Sequence, residues 1–375
     1  MLKKLQLQVG RRKFLIFLIV WLGIIACAFI VLMFKFKQWL TDYQAVYEAS
    51  RPALVMDTYF DWYQNNDLDT IYDNLTEKPV INEYETEANA KLFMSEVLDP
   101  SKATYAPSNT YSEAVPEYYV LSGDYIVSTA RLRKSDTQTM DYSFPVWELN
   151  YLDFYCEPQY DVYVYIPENV SATVNGLPLN ENYCFSADTV PEDQAAFGSY
   201  ATLPLMKKYK IDNFYQLPAI EAVNADNYTA EVSFNNSTGV YEVGYGDNPD
   251  AEEMKAVAIG AAKVFANYLA NDVSQAAMQD CFVPGCEIIR FIIAGREDAG
   301  KFFKYHSSLE YTNIEVDRFI CYDSNTFACD VHMDQEIYRY TEAPFEVDQV
   351  NYRFYYIKYN GVWKACYINI LQTRE

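Results

Sequence analysis

Phe14 to Phe34, FLIFLIVWLGIIACAFIVLMF, runs for twenty-one residues without a charge. At about 1.5 Å per residue, such a run crosses a hydrocarbon layer about 30 Å thick. A helix is the form expected there, because it satisfies its backbone hydrogen bonds internally, as lipid demands. The run is apolar on every face and charged at both borders, unlike the core helix of a soluble domain. Residues 14–34 are therefore expected to be a transmembrane helix, with the lipid bilayer as partner.

The flanks give a direction. Lys3, Lys4, Arg11, Arg12 and Lys13 precede the run, and only Lys35 and Lys37 follow it. The richer basic side tends to stay cytoplasmic. Residues 1–13 then form a cytoplasmic tail, and the chain beyond residue 38 lies outside the cell membrane in a single-pass arrangement. Two processing routes compete with this reading. A cleaved signal has a shorter apolar core and small residues at its cut, and neither is found here. Ile24-Ile25-Ala26-Cys27 resembles a lipoprotein cleavage box, but Ala28–Phe34 would leave an apolar arm where a polar tether is usual.

The 375 residues hold 29 Lys and Arg against 52 Asp and Glu. Seven of those bases and none of the acids lie in the first 40 residues, leaving 22 bases against 52 acids outside, a net charge of −30. A field of that sign repels nucleic acid. Aromatic content of 17%, including 35 Tyr and 22 Phe, argues for folded, strand-rich protein.

Order along the chain suggests a repeated plan. Residues 37–75 read as helix, restarted at Arg51-Pro52. Glu83–Leu98 is helical, and strands follow at Tyr118–Leu121, Tyr125–Leu132 and Tyr142–Phe154. Residues 157–222 read as a small β module with a hairpin at Asn175-Gly176, and 223–250 as a linker. Ala251–Leu269 is a helix of strong helix formers, with further helical stretches to Phe303. Strands then fill Leu309–Leu371, with a second hairpin at Asn360-Gly361. Across that hairpin Lys358 is predicted to face Trp363, and Tyr356 to face Ala365. The expected architecture is one transmembrane helix plus an α+β and all-β ectodomain. It has two cone-like α+β domains, 38–156 and 251–375, of the nuclear transport factor 2-like kind, flanking the β module.

The strand–turn–strand "VYIPENVSATVNGLPL", followed by "YQLPAIEA", resembles the extracytoplasmic regions of TcaA-like (teicoplanin-resistance-associated) membrane proteins of Gram-positive bacteria. The matching positions are Pro167, Val170, Ala172, Val174, Asn175 and Gly176. Residues 268–289 and 305–334 resemble the C-terminal cone domain of related clostridial proteins. The zinc ribbon that opens many such proteins is not expected here, since residues 1–13 hold no Cys or His. The resemblance implies action at the cell envelope without known catalysis.

Chemistry-bearing signals are sparse. His306 and His332 are the two histidines, which leaves few options for a nucleophile–His pair. No CxxC occurs, and no metal or cofactor is expected. Gly239–Gly244 lacks the lysine and helix of a phosphate loop. Cys321 with Cys329, flanking a turn, and Cys156 with Cys184 are possible disulfides outside the membrane; reduced, buried thiols are the alternative. Tyr352, Phe354, Tyr356 and Trp363 would form the core or, in a cone domain, a possible pocket wall. The expected function is a membrane-anchored extracytoplasmic binding or scaffold protein of the bacterial envelope, with an envelope protein or ligand as partner and no catalytic residues. The alternative is a small-molecule-binding or isomerase-like domain at 251–375. Intact-mass measurement of the purified protein tests the anchor: the full-length mass is expected, and a mass lacking residues 1–26 would replace it with the lipoprotein route.

Overall fold

Helix α1 runs unbroken from Leu2 to Ala49. Its most apolar 18-residue window has a mean hydropathy of 3.1 and packs against nothing, so it is long and apolar enough to cross a membrane. The computed structural model describes residues 2–299 and 305–372. Met1 of the expected tail, residues 300–303 of the last expected helical stretch and residues 373–375 lie outside that range.

Two compact units follow from the packing: residues 1–80 with 87–157, and residues 81–86 with 158–375. In the first, α1 gives way at Ser50 to α2 (Pro52–Gln64), whose first residue is the proline predicted to restart it. Asp67 caps α3 (Leu68–Asn74) by accepting from the Thr70 amide at 3.1 Å. Helix α4 spans Glu87–Val97. Four antiparallel strands complete the unit, in the order β1 (Ala103–Pro107), β2 (Glu117–Ser122), β3 (Tyr125–Thr139) and β4 (Pro145–Phe154). Met56, Phe60 and Tyr63 of α2 are buried. The Tyr63 hydroxyl lies 2.6 Å from Ser128 Oγ on β3, and the Trp147 indole on β4 donates to the Ser50 carbonyl at 2.8 Å.

Two expected boundaries move. Helix α4 starts at Glu87, not Glu83, because Ile81–Thr86 packs with the second unit. There Tyr84 is buried, accepts from the Asn180 amide at 2.7 Å and donates to the Pro178 carbonyl at 3.1 Å. Strand β4 starts at Pro145, not Tyr142, because Tyr142 and Ser143 take φ of 60° and 64°, a left-handed turn no strand contains.

The second unit opens as two sheets. One has the order β12-β13-β5-β9-β8, with β5 Tyr160–Pro167, β8 Cys184–Thr189, β9 Met206–Phe214, β12 Val232–Asn235 and β13 Val240–Val243. The other runs β11-β10-β6-β7, with β6 Val170–Val174, β7 Leu177–Pro178, β10 Ile220–Asn224 and β11 Thr229–Ala230. Alternate residues point inward from each: Val162, Val164 and Ile166 from β5 pack on Val170, Ala172 and Val174 from β6 in one core. Asn175 and Gly176, at φ 49° and 80°, make the predicted hairpin. The expected linker 223–250 carries strands β11–β13 instead, and β13 pairs in parallel with β5.

A short helix, α5 (Gln194–Phe197), interrupts this β region. Three helices then precede a four-stranded antiparallel sheet: α6 (Ala251–Leu269), α7 (Gln275–Asp280) and α8 (Glu287–Ala299) before β14 (Ser308–Asp323), β15 (Thr326–Tyr338), β16 (Glu346–Tyr359) and β17 (Val362–Ile370). Met254, Ala258, Ala261, Ala262 and Phe265 recur at helical spacing and are buried. Asn360 and Gly361 turn at φ 50° and 81°, and Lys358 faces Trp363 and Tyr356 faces Ala365, as that turn predicts.

The opposite face of this sheet is covered by α5. Phe197 is fully buried, with its ring 5.5 Å from those of both Tyr322 and Tyr355. Just before it, Asp193 accepts from Arg318 Nη2 at 2.7 Å, from the Tyr322 hydroxyl, and from the Tyr355 hydroxyl at 3.2 Å. Burial alone would push the Asp193 carboxyl up, but the hydrogen bonds from Tyr322 and Arg318 outweigh it and hold the carboxyl below its ordinary value. Replacing Asp193 with Ala leaves Arg318 and Tyr322 facing no acceptor, with an expected loss of about 2–3 kcal/mol in denaturant unfolding. Because the folded value is depressed, the charge-dependent part of that stability is complete above the ordinary 3.8. It fades as pH falls through the lower folded value. The stability gap between wild type and Asp193→Asn is therefore expected to stay constant above that pH and narrow below it.

Candidate functional site

The residues expected to line a pocket form a packed layer on the face of the β14–β17 sheet that the α6 side chains cover. Tyr352, Phe354 and Tyr356 alternate along β16 and are 4%, 0% and 0% exposed. Phe265 of α6 meets Tyr352 at 5.0 Å, Phe327 stacks on Tyr356 at 4.5 Å and 11°, and the half-buried Trp363 meets Phe327 edge-on at 4.9 Å. Such spacings leave no room for a ligand between the rings. Tyr352, Phe354 and Tyr356 share one face of β16 and Trp363 joins them from β17, packed as core and not as the wall of a pocket.

One polar atom in that layer stands out. The Tyr356 hydroxyl is buried and meets no hydrogen-bond partner. Burial raises its pKa well above the ordinary value, with smaller contributions from Cys329 and Cys281. It is a neutral hydroxyl at any physiological pH and supplies no base.

The Asp–Tyr convergence of isomerase-like chemistry does occur, but on the other face. Asp193 meets Tyr322 and Tyr355 there, with Arg318 completing the set. Arg318 reaches it from a bulge, where β14 slips register between Asp317 and Ile320 and Arg318 takes φ of 40°. Its guanidinium neutralises the carboxylate, and the depressed pKa of Asp193 opposes proton abstraction. Farther along the same face Arg353 grips Asp330 with two bonds of 2.6 and 2.7 Å, and His332 Nδ1 lies 2.7 Å from Asn351 Oδ1. Arg353–Asp330 and His332–Asn351 satisfy each other across β15 and β16, while Asp193 ties the sheet to its cover.

Both possible disulfides are corrected. Cys321 sits opposite Phe327, not Cys329. The turn closes at Asp323–Thr326 with a bulge at Cys321–Asp323, which shifts the register. Cys321 and Cys329 are free thiols, and burial pushes Cys329 up to about 12. Cys156 donates to the Ala90 carbonyl at 3.8 Å within the first unit. Cys184, a free thiol in the second, donates to the Ser186 carbonyl at 3.4 Å. Among the described residues, no three His, Cys, Asp or Glu side chains gather to hold a metal ion.

An open groove of about 700 Å³ lies where residues 281–283 meet the edge of β17. The Val283 amide donates to the Ala365 carbonyl and the Ala365 amide to the Cys281 carbonyl, each at 2.9 Å, which fixes the floor. Phe282, Cys286, Ile289 and Ile293 give the groove an apolar wall, and Arg290, Lys364 and Asp280 give it a charged rim. Lys364 Nζ reaches Asp280 Oδ1 at 3.1 Å. The sequence marked one border of this groove, the Asn360-Gly361 hairpin. The other border depends on where α7 and α8 dock, which local pattern does not give.

No known protein family and no curated protein matches the sequence. Among solved structures, an "Ntf2 like protein involved in plasmid conjugation" aligns over 83% of this chain and 92% of its own length, at 11% identity and a TM-score of 0.23. At that score the two chains need not share a fold. The packed layer carries a sharp expectation: Tyr356→Phe removes an unsatisfied buried hydroxyl, so it should be neutral or stabilise by up to about 1 kcal/mol. Phe327→Ala should cost about 3–5 kcal/mol. Loss of more than a small fraction of stability in Tyr356→Phe would mean that the hydroxyl has a partner in the native protein.

Proposed function

We propose that this chain is a membrane-anchored, extracytoplasmic binding or scaffolding protein of a bacterial cell envelope, and that it performs no catalysis. Its N-terminus is cytoplasmic and α1 is the anchor. The first unit and residues 251–375 are two cone-like domains of the nuclear transport factor 2-like kind around a β module, related to the TcaA-like proteins. One observation carries the reading: the sheet face that holds the chemistry in cone-fold enzymes is here filled with closely packed Phe and Tyr rings, edge-on and stacked. The basic residues before the apolar run, the net charge of −30 beyond it and the repeated helix-then-sheet order support the same reading.

A small-molecule role for 251–375 draws support from the groove beside β17, whose volume of about 700 Å³ lies in the range of ligand sites. One experiment separates the two. A photo-crosslinking amino acid replaces Val362, an exposed residue of the groove, and intact cells are irradiated. An adduct of protein mass is expected; an adduct of a few hundred daltons would replace the scaffold reading with the small-molecule one. No adduct of either kind, at Val362 or at a second groove position, Asn360, would count against both. In the same cells, protease added outside is expected to digest the chain beyond residue 50. Protection of that region would reverse the proposed orientation.

A further inference from the structure

Beyond Phe34, α1 carries Phe36, Trp39, Tyr43 and Tyr47 along one face. They form a ladder, with Phe36 to Trp39 at 5.8 Å and Trp39 to Tyr43 at 5.4 Å. The tip of the β3–β4 hairpin lies against that ladder. Tyr142 meets Trp39 edge-on at 6.2 Å and Tyr43 at 5.3 Å, and Phe144 meets Tyr43 at 5.1 Å and Tyr47 at 5.7 Å. The Met140 amide donates to the Phe144 carbonyl at 2.9 Å and closes the tip. Tyr142 adopts φ of 60° there, a conformation unfavourable to a bulky side chain. Yet Phe36, Trp39 and Tyr142 remain 54%, 45% and 44% exposed. A strained tip that gathers rings only to leave them half open to water is a poor design for a wholly aqueous setting.

Height resolves this. Trp39 stands about 7 Å and Tyr43 about 13 Å along the axis beyond Phe34, at about 1.5 Å per residue. The headgroup layer extends about 5–8 Å beyond the hydrocarbon on each side. Phe36 therefore falls inside it and Trp39 at its outer limit, and Tyr142, held between Trp39 and Tyr43, stands just above that limit. Trp and Tyr are favoured at that level because one end of each ring is apolar and the other wet. Lys35 and Lys37 stand at the same height, where their ammonium groups reach lipid phosphates.

We propose that the tip of the β3–β4 hairpin is a second membrane contact, with Tyr142 resting beside Trp39 on the outer surface of the phospholipid headgroups of the bilayer that α1 crosses. The occupant of the exposed aromatic face is lipid, and the contact holds the first unit against the membrane surface. This rests on reading α1 as the membrane span.

The test uses the full chain in phospholipid nanodiscs, with nitroxide quenchers placed either on the headgroup or midway along the acyl chain. Tyr142→Trp adds one indole at the tip. Tyr125→Trp adds one at the far end of β3, where Tyr125 is 80% exposed. The indole added at the tip is expected to lose most of its fluorescence to headgroup nitroxide, while the one at the far end loses none. Equal quenching at the two positions would overturn the proposal. Trp21, within the span, reports separately: its contribution, read as the difference from Trp21→Phe, should be quenched by the chain-borne nitroxide. Quenching of Trp21 without quenching of the indole at the tip sinks the hairpin contact alone, and Trp21 unquenched sinks the anchor with it.

Discussion

A sheet that is apolar or ion-paired on both faces must be covered on both, and in the second unit two different parts of the chain meet that demand for β14–β17. The α6 side supplies Met254, Ala258, Ala262 and Phe265 to one face. The other receives Phe197 and, next to it, the Asp193 carboxylate with its three donors. The β module is thus bound into the C-terminal sheet and not strung beside it. Asn169, at the turn between β5 and β6, adds a bond to the Tyr322 carbonyl at 2.8 Å. A carboxylate in that position is stable only while its partners stay in place, so the cover and the sheet form together.

The same arrangement explains why the structure offers so little to a catalytic reading. General acid–base catalysis needs an acid or base with an unsatisfied lone pair facing space. Here the aromatic layer occupies the space, and the acids that meet tyrosines or arginines are engaged on the opposite face. The groove beside β17 is open, with an apolar wall and a lysine already bonded to Asp280.

The sequence made the local features plain. Asn175-Gly176 and Asn360-Gly361 were readable because a two-residue hairpin requires positive φ at both positions, and few dipeptides supply it. Pro52 was readable as a helix start, and Ala251–Leu269 as a helix with one apolar stripe. Tyr352, Phe354 and Tyr356 could be read as core or as pocket wall, and the sequence could not choose between them, since the answer lies in how α6 covers that face. Asp193 went unnoticed because its partners are 125 to 162 residues away in the chain. The register of Cys321 escaped because a bulge adds a residue without leaving a mark in the composition. Glu83–Thr86 reads as helix because nothing local signals that Tyr84 belongs to another core.

From Ile24 to Ala49, α1 contains neither glycine nor proline, and its helical hydrogen bonding continues well beyond the apolar run. On the proposed reading of α1 as the membrane span, the rod therefore has no flexible joint before Ser50, where it gives way to α2. A span of fixed length answers a thinner bilayer by leaning farther from the normal, and a stiff rod passes that angle on undiminished. On that proposed reading, a change of bilayer thickness at the apolar run would become a change of tilt where Trp39, Tyr43 and Tyr47 meet the β3–β4 tip.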